Sequence, residues 1–128
     1  RSPQWTGGGV VFAPTPRDYS FKMNKKEKQL ALKSALTSKV NDSKLIVVDE
    51  LKMDAIKTKD FKAVMTNLKA NKALVVMAEK DVNVVMSAKN IPDVNTALTS
   101  TINVYDIMKA GTVVLTKDAV AKIEEVYA

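Results

Sequence analysis

The chain contains no cysteine and no histidine among its 128 residues. Without cysteine it can form neither a disulfide nor a thiol nucleophile, and without histidine it lacks the commonest general base. Almost every zinc or haem site is excluded for the same reason. No apolar run approaches the roughly 20 residues that a membrane-spanning helix requires, and the N-terminus lacks the pattern of a signal peptide. These absences leave few enzyme classes open to the chain.

Glycine, proline, arginine and aromatic residues are scarce, and most of them lie near the N-terminus. Residues 1–22 hold both arginines, four of the seven aromatic residues, three of the four glycines and three of the four prolines. The apolar residues there are too unevenly spaced to build a core. Because cations bind phosphates and flat rings stack on bases, this composition predicts an extended arm over residues 1–23 that binds nucleic acid.

The positive charge is concentrated in the same part of the chain. Residues 1–44 carry nine basic and three acidic side chains, whereas residues 45–128 carry eleven of each, so the first third accounts for the whole net charge of +6. A cationic region is attracted to polyanions, and we expect this third to face RNA, DNA or an anionic membrane. The remainder is predicted to present an ordinary solvated surface.

From residue 45 onward, short β-branched runs alternate with amphipathic segments, which is typical of an α/β fold with a largely parallel sheet. The predicted strands are residues 45–48, 73–77, 94–98 and 112–115. The runs LIVV and ALVVM are continuously apolar, as expected when helices cover both faces of a sheet. The sequence therefore predicts a three-layer domain over residues 24–128, with a mostly parallel four-stranded sheet.

A basic helix is predicted ahead of the sheet. Asn24 and Glu27 have the spacing of a capping box, and Leu32, Leu36 and Val40 form the expected core stripe. Lysine stems can cover apolar surface while their ammonium groups reach outward, so this helix can pack on the domain and still contact RNA. The lysines that flank the stripe are Lys26 and Lys33 on one side, and Lys28 and Lys39 on the other.

Four more helices are predicted from apolar spacing and end signals. Phe61, Val64, Met65 and Leu68 share one face, with Thr58 as the expected cap. Asp81 is the expected cap of a second helix that reaches Ala88. A third helix is predicted from Asn103 and Asp106, which form a capping box, and it ends at Gly111. The last helix starts at Thr116, and its residues Val120, Ile123 and Tyr127 are expected to point inward.

Each candidate RNA contact in the arm has an alternative explanation. Gly7, Gly8 and Gly9 allow close approach to a phosphate backbone or a sharp fold, and otherwise form a flexible hinge. Rings that stack on unpaired bases can instead anchor the arm to the domain, which we favour for any single ring. A guanidinium can fork to phosphate, although Arg17 can also pair with Asp18. The rings concerned are Trp5, Phe12, Tyr19 and Phe21.

A competing function rests on acidic residues that follow two predicted strands. Asp49 and Glu50 follow the first strand, and Glu79 and Asp81 follow the second. The carboxyl ends of parallel strands are common ligand sites, so these acids suggest an α/β metal- or phosphoryl-binding signalling domain. We favour the alternative that they are helix caps and solvated loop ends, because no nucleophile, histidine or phosphate-binding loop accompanies them.

Long motifs resemble one known family. RSPxWxGGGVVFxPxPRDYSFKxNKK is followed by LALKSALTSKV, LIVVDELK, SAKNIPDV and INVYDIMK, and together these are similar to the L-four family of large-subunit ribosomal proteins. The resemblance spans essentially the whole chain. It implies an α/β domain bound to large-subunit ribosomal RNA beside neighbouring ribosomal proteins, in the cytoplasm, with no enzymatic activity, cofactor, membrane or small-molecule substrate. It also implies a fragment that lacks the family's first strand and helix and its long basic loop.

The resemblance also implies which residues contact RNA. The SAKNIPDV motif contributes weaker candidates, Ser87, Lys89 and Asn90, and Lys89 stands where the family usually has arginine, so that a forked contact becomes a point contact. The other family motif residues that are expected to contact RNA are Arg1, Trp5, Gly7, Gly8, Gly9, Phe12, Arg17, Tyr19 and Lys22 in the arm, and Lys25, Lys26, Lys28 and Lys33 in the basic helix.

Overall fold

The computed structural model describes residues 1–127. Residues 1–23 contain no helix or strand, and all of them except Gly8 are exposed. The remaining described residues form alternating helices and strands. In chain order these are α1 Lys25–Asn41, β1 Leu45–Val48, α2 Thr58–Asn67, β2 Ala73–Met77, α3 Val82–Lys89, β3 Asn95–Leu98, α4 Val104–Lys109, β4 Thr112–Thr116 and α5 Lys117–Tyr127.

The four strands form one sheet in the order β1-β4-β2-β3. Every neighbouring pair is parallel, with Leu45 opposite Val113 and Leu74 opposite both Val113 and Asn95. Parallel neighbours require crossover connections, and the intervening helices supply them. The α/β fold and the parallel four-stranded sheet predicted from the sequence are confirmed.

Helices cover both faces of the sheet, because successive side chains of the central strands point in opposite directions. Leu74 and Val76 of β2 pack in a core with residues of α1, α4 and α5. Ala73, Val75 and Met77 pack in a second core with residues of α2 and α3. All five residues of β2 are buried. The predicted three layers are therefore present.

Strand β1 is more exposed than its apolar sequence predicts. It lies at one edge of the sheet, and Val47 is 53% exposed. The LIVV run predicts a strand buried on both faces, but an edge strand has only one neighbour to pack against. Periodicity cannot distinguish an edge strand from a central one.

The core stripe of α1 differs from the predicted one. Leu32, Ala35 and Lys39 are buried, whereas Val40 is 57% exposed. The Lys39 ammonium donates a hydrogen bond to the Ala110 carbonyl at 2.8 Å. Lys39 is therefore not one of the outward cations that flank the stripe, because its charged end has a partner inside the fold.

Several helix ends follow the sequence signals. The Asp81 carboxylate accepts a hydrogen bond from the Asn83 N–H at 2.8 Å, and Asn103 Oδ1 accepts one from the Asp106 N–H at 2.8 Å. Thr58, however, is already inside α2, and Lys57 occupies the cap position without a side-chain bond. Gly111 does not end α4 through a left-handed conformation. It is needed because a Cβ there would lie 2.6 Å from the Asn71 carbonyl oxygen.

Candidate nucleic-acid interface

The first nine residues form a closed turn held by backbone hydrogen bonds. The Gly9 N–H donates to the Arg1 carbonyl at 3.2 Å, and the Gly8 N–H donates to the Trp5 carbonyl at 2.9 Å. The Arg1 guanidinium adds a bond to the Thr6 carbonyl at 3.2 Å. This bond uses one of the five N–H donors of Arg1, so the others are available to an external acceptor.

The three glycines have different tasks in this turn. A Cβ at Gly8 would lie 2.1 Å from the Ser2 carbonyl oxygen, and Gly7 has a φ of +70°. Only glycine fits at position 8, and the positive φ at position 7 also favours glycine. The amides of Gly8 and Gly9 donate within the arm, so the glycines act here by allowing a sharp fold. The alternative of an unstructured hinge does not describe this segment.

The aromatic side chains of the arm do not anchor it to the domain. Trp5 is 66% exposed, Phe12 98%, Tyr19 77% and Phe21 81%. The anchoring role that we favour for any single ring is therefore wrong for all four. Phe12 also has a φ of 52°, which is unfavourable for a residue with a large side chain. A strained backbone with a fully exposed ring suits a residue that acts on a partner.

Arg17 is associated with Tyr19 and does not pair with Asp18. Its guanidinium carbon lies 4.6 Å from the centre of the Tyr19 ring. The Asp18 carboxylate instead accepts the Ser20 N–H at 2.8 Å and the Ser20 hydroxyl at 3.0 Å. These bonds, the backbone one foremost, hold the pKa of Asp18 below its ordinary value. Arg17 and Tyr19 thus present a cation and a ring side by side.

The basic helix α1 provides further exposed cations. Its four candidate lysines are exposed, and they point in two directions. Lys26 and Lys33 lie two turns apart on the outward side of α1. The other two, Lys25 and Lys28, line a groove of about 460 Å³ that lies between α1, the start of α4 and the end of α5. Lys22, in the extended segment before the helix, is also exposed.

The SAKNIPDV candidates lie apart from the arm in sequence, at the end of α3. Lys89 and Asn90 are exposed, but Ser87 is fully buried. The Ser87 hydroxyl accepts a hydrogen bond from the Lys57 N–H at 3.0 Å. Ser87 therefore joins α3 to the start of α2, and its suggested RNA contact is wrong.

The acidic residues behind the competing prediction do meet at the carboxyl edge of the sheet. Asp49, Glu50, Glu79, Asp81 and Asp118 line one cleft of about 500 Å³. Most of them already have structural partners. Glu50 pairs with Lys52, Glu79 pairs with Lys122 at 3.3 Å, and Asp81 caps α3. The Glu50 carboxylate also raises the pKa of Lys52 above its ordinary value.

Among residues 1–127, no three histidine, cysteine, aspartate or glutamate side chains are placed to hold a metal ion. In the same residues, no helix has the length and apolar character needed to cross a membrane.

Comparison with known proteins agrees with the motifs of the arm and the basic helix. Residues 1–126 match the Ribosomal protein L4/L1 family. The chain belongs to this family. The match includes the closed turn, the exposed rings and the basic helix, so the features described above belong to an L4/L1 sequence rather than to an unrelated α/β domain.

Individual relatives cover the chain completely. It is 71% identical over 128 residues to a protein of Lachnoclostridium phytofermentans named "Large ribosomal subunit protein uL4". Proteins with the same name in Agathobacter rectalis and Lachnospira eligens are 66% and 63% identical over the same length. In each case the chain spans 62% of the relative's own length. The similarity to other L4/L1 proteins is therefore high over all of this chain and over part of the relatives.

Proposed function

We propose that this chain is part of a structural, non-catalytic protein of the large ribosomal subunit and that it binds large-subunit ribosomal RNA. The name shared by its relatives, "Large ribosomal subunit protein uL4", supports this assignment. Bacterial ribosomes are cytoplasmic, so the proposed location is the cytoplasm. The proposed partners are ribosomal RNA and neighbouring proteins of the same subunit, with a role in subunit assembly.

The observation that carries the proposal is the exposed chemistry of the arm. All four of its aromatic rings are at least 66% exposed, and both arginines lie among them. Isolated apolar rings on a surface are removed from water when a partner covers them, and stacking on an unpaired base is worth about 1–3 kcal/mol per base. The exposed rings and cations of the arm therefore support binding to a partner that covers them.

The arm and α1 are proposed to bind different parts of the RNA. Arg17 can fork to a phosphate while the Tyr19 ring beside it stacks on a base, so the pair contacts backbone and base together. The lysines of α1 act as point charges on phosphates, which contributes affinity without reading sequence. The protein then holds a folded RNA segment by shape and backbone contacts.

The test compares two sets of variants in binding to a large-subunit rRNA transcript across a range of salt concentrations. Arg17→Ala and the double variant Lys25→Ala/Lys26→Ala should each weaken binding. They should lower the slope of log affinity against log salt by about 0.7–0.9 for every phosphate that the variant no longer neutralises. Lys80→Ala/Lys117→Ala removes the same charge as the double variant from the carboxyl edge and should change little.

Circular dichroism melts of all variants provide the stability control. Arg17, Lys25 and Lys26 are exposed, so none of the substitutions should lower the melting temperature appreciably. Wild-type affinity that is insensitive to salt, or losses in the Arg17 and Lys25/Lys26 variants that only equal the loss in the carboxyl-edge control, would overturn the proposal.

A further inference from the structure

The grooves at the two edges of the sheet differ in charge, although residues 45–128 contain equal numbers of acidic and basic residues. In a parallel sheet every strand begins at one edge and ends at the other, so the connecting loops gather in two groups. The cleft at the carboxyl edge is lined by five acids, named above, and by two lysines, Lys52 and Lys122. Acids therefore outnumber lysines in the lining of this cleft.

The opposite edge, where the strands begin, is basic. Two grooves adjoin there, with volumes of about 570 and 220 Å³, and both are lined by Lys72 and Asp93. We call them together the amino-edge groove. Asp93 is the one acid among its lining residues, against four lysines, which are Lys62, Lys69, Lys72 and Lys109.

These four lysines are available to an external anion. All of them are exposed, and within residues 1–127 none forms an ion pair with a carboxylate. The Lys109 ammonium lies 5.7 Å from the centre of the Tyr105 ring, and that ring is itself 70% exposed. The amino-edge groove thus offers unpaired cations and the side-chain amides of Asn71 and Asn95.

The backbone conformation singles out Lys72 in this groove. Lys69, Lys72 and Asp93 have φ values of 53°, 49° and 64°. Lys69 lies just after α2, and the Ala70 N–H donates to the Met65 carbonyl at 3.1 Å, so its left-handed conformation ends the helix. Aspartate tolerates this region, which accounts for Asp93. Lys72 has neither explanation, and its backbone is therefore strained.

Stabilisation of helix ends explains only part of this arrangement. Lysine near a helix C-terminus interacts favourably with the helix dipole, which accounts for Lys109 at the end of α4 and for Lys69 just after α2. Lys62 lies in the middle of α2, and Lys72 lies directly before β2. Neither of these two is placed to stabilise a helix end, although both line the groove.

We propose that the amino-edge groove binds the sugar–phosphate backbone of a second RNA segment, distinct from the segment held by the arm and α1. The inference rests on the proposed RNA-binding function and adds a second site to it. Lysine point charges with amide donors beside them fit a phosphate backbone and do not require a particular base sequence. The acidic cleft at the far edge repels the same polyanion, so the charge distribution selects the orientation in which the domain docks.

The test uses two quadruple variants that remove equal charge from opposite edges. The groove variant is Lys62→Gln/Lys69→Asn/Lys72→Asn/Lys109→Gln, in which asparagine suits the two left-handed positions. The control variant is Lys52→Gln/Lys59→Gln/Lys80→Gln/Lys117→Gln. Binding to a large-subunit rRNA transcript should weaken about tenfold or more in the groove variant, with a salt slope reduced by about 2–3. The control should remain within about twofold of the wild type.

A residue-level measurement complements the affinities. Acetylation of lysines, read by mass spectrometry with and without the rRNA transcript, should show protection of Lys69 and Lys72 and none of Lys80 and Lys117. Equal acetylation of all four in the complex, or equal affinity losses in the two quadruple variants, would overturn the second site.

The outcomes separate this inference from the proposed function. If arm substitutions weaken binding and the groove variant behaves like the control, the second site is wrong and the proposed function stands. If wild-type protein does not bind the transcript, the proposed function fails as well. If the groove lysines are protected by a second copy of the chain rather than by RNA, the groove is a protein interface and the inference is wrong.

Discussion

The ammonium group of Lys39 is buried between α1 and the start of β4, although a lone charge in a protein interior is costly. The residue is 7% exposed, and its Nζ donates to the Ala110 carbonyl at 2.8 Å. That carbonyl directly follows α4, where the helix dipole is negative, so a cation is a suitable partner. Lys39 thereby holds α1 against the rest of the domain, and with it the direction of the lysines that are proposed to bind RNA.

Replacing this lysine tests the contact. Lys39→Met retains most of the apolar stem and leaves the Ala110 carbonyl without its donor, so we expect the free energy of unfolding to fall by about 1–3 kcal/mol. Lys33→Met changes an exposed position of the same helix and should cost less than about 0.5 kcal/mol. Urea denaturation of both variants gives the comparison. Equal stabilities would show that the buried contact contributes nothing.

Among the elements, the closed turn of residues 1–9 decides between two alternatives that the sequence leaves open. A glycine triplet allows a sharp fold or a flexible hinge, and the hydrogen bonds and the close approach at Gly8 define a folded turn. A preformed turn loses less conformational entropy when it binds, and this favours affinity. The turn therefore positions Trp5 and Arg1 before any partner arrives.

Two neighbouring glycines distinguish this role from simple flexibility. Gly8→Ala places a Cβ against the Ser2 carbonyl and should open the turn, weakening rRNA binding by roughly fivefold because the preorganisation is removed. The matched variant Gly9→Ala meets its nearest atom at 3.9 Å and should bind almost as the wild type does. Filter binding measures both, and melting temperatures should not change. Similar affinities for the two variants would indicate that the turn is not needed for binding.

At the scale of the whole molecule, the predicted division into an arm over residues 1–23 and a domain over residues 24–128 can be tested by proteolysis. Trypsin should cut first after Arg17 and Lys22, because this segment has no helix or strand and is exposed. The β1–α2 loop is the internal comparison. It also lacks regular structure, but it is held by hydrogen bonds from Asn83 to Met53 and from Lys57 to Ser87.

Mass spectrometry of early digests would identify the order of cleavage. We expect the arm to be removed while a fragment of residues 23–128 persists, and rRNA should slow the removal of the arm. Early cleavage after Lys52 or Lys57, with the arm still attached, would contradict the division.

The sequence alone was sufficient for local features and for the family. Predicted strands 94–98 and 112–115 differ from Asn95–Leu98 and Thr112–Thr116 by one residue, and the caps at Asp81 and Asn103 are present. Such features depend on side chains a few residues apart, which the sequence shows directly. The arm is predicted for the same reason, since its cations, rings and glycines are contiguous.

Tertiary structure decided everything that depends on residues distant in the chain. It made β1 an edge strand, buried Lys39 against Ala110 and left the rings of the arm exposed. It also brought Lys62, Lys72 and Lys109 to one edge of the sheet and five acids to the cleft at the other. Charge counted along the chain is balanced in this region, but a parallel sheet sends strand beginnings and strand ends to opposite edges. Only the folded arrangement therefore gives one groove an excess of lysines and the other an excess of acids.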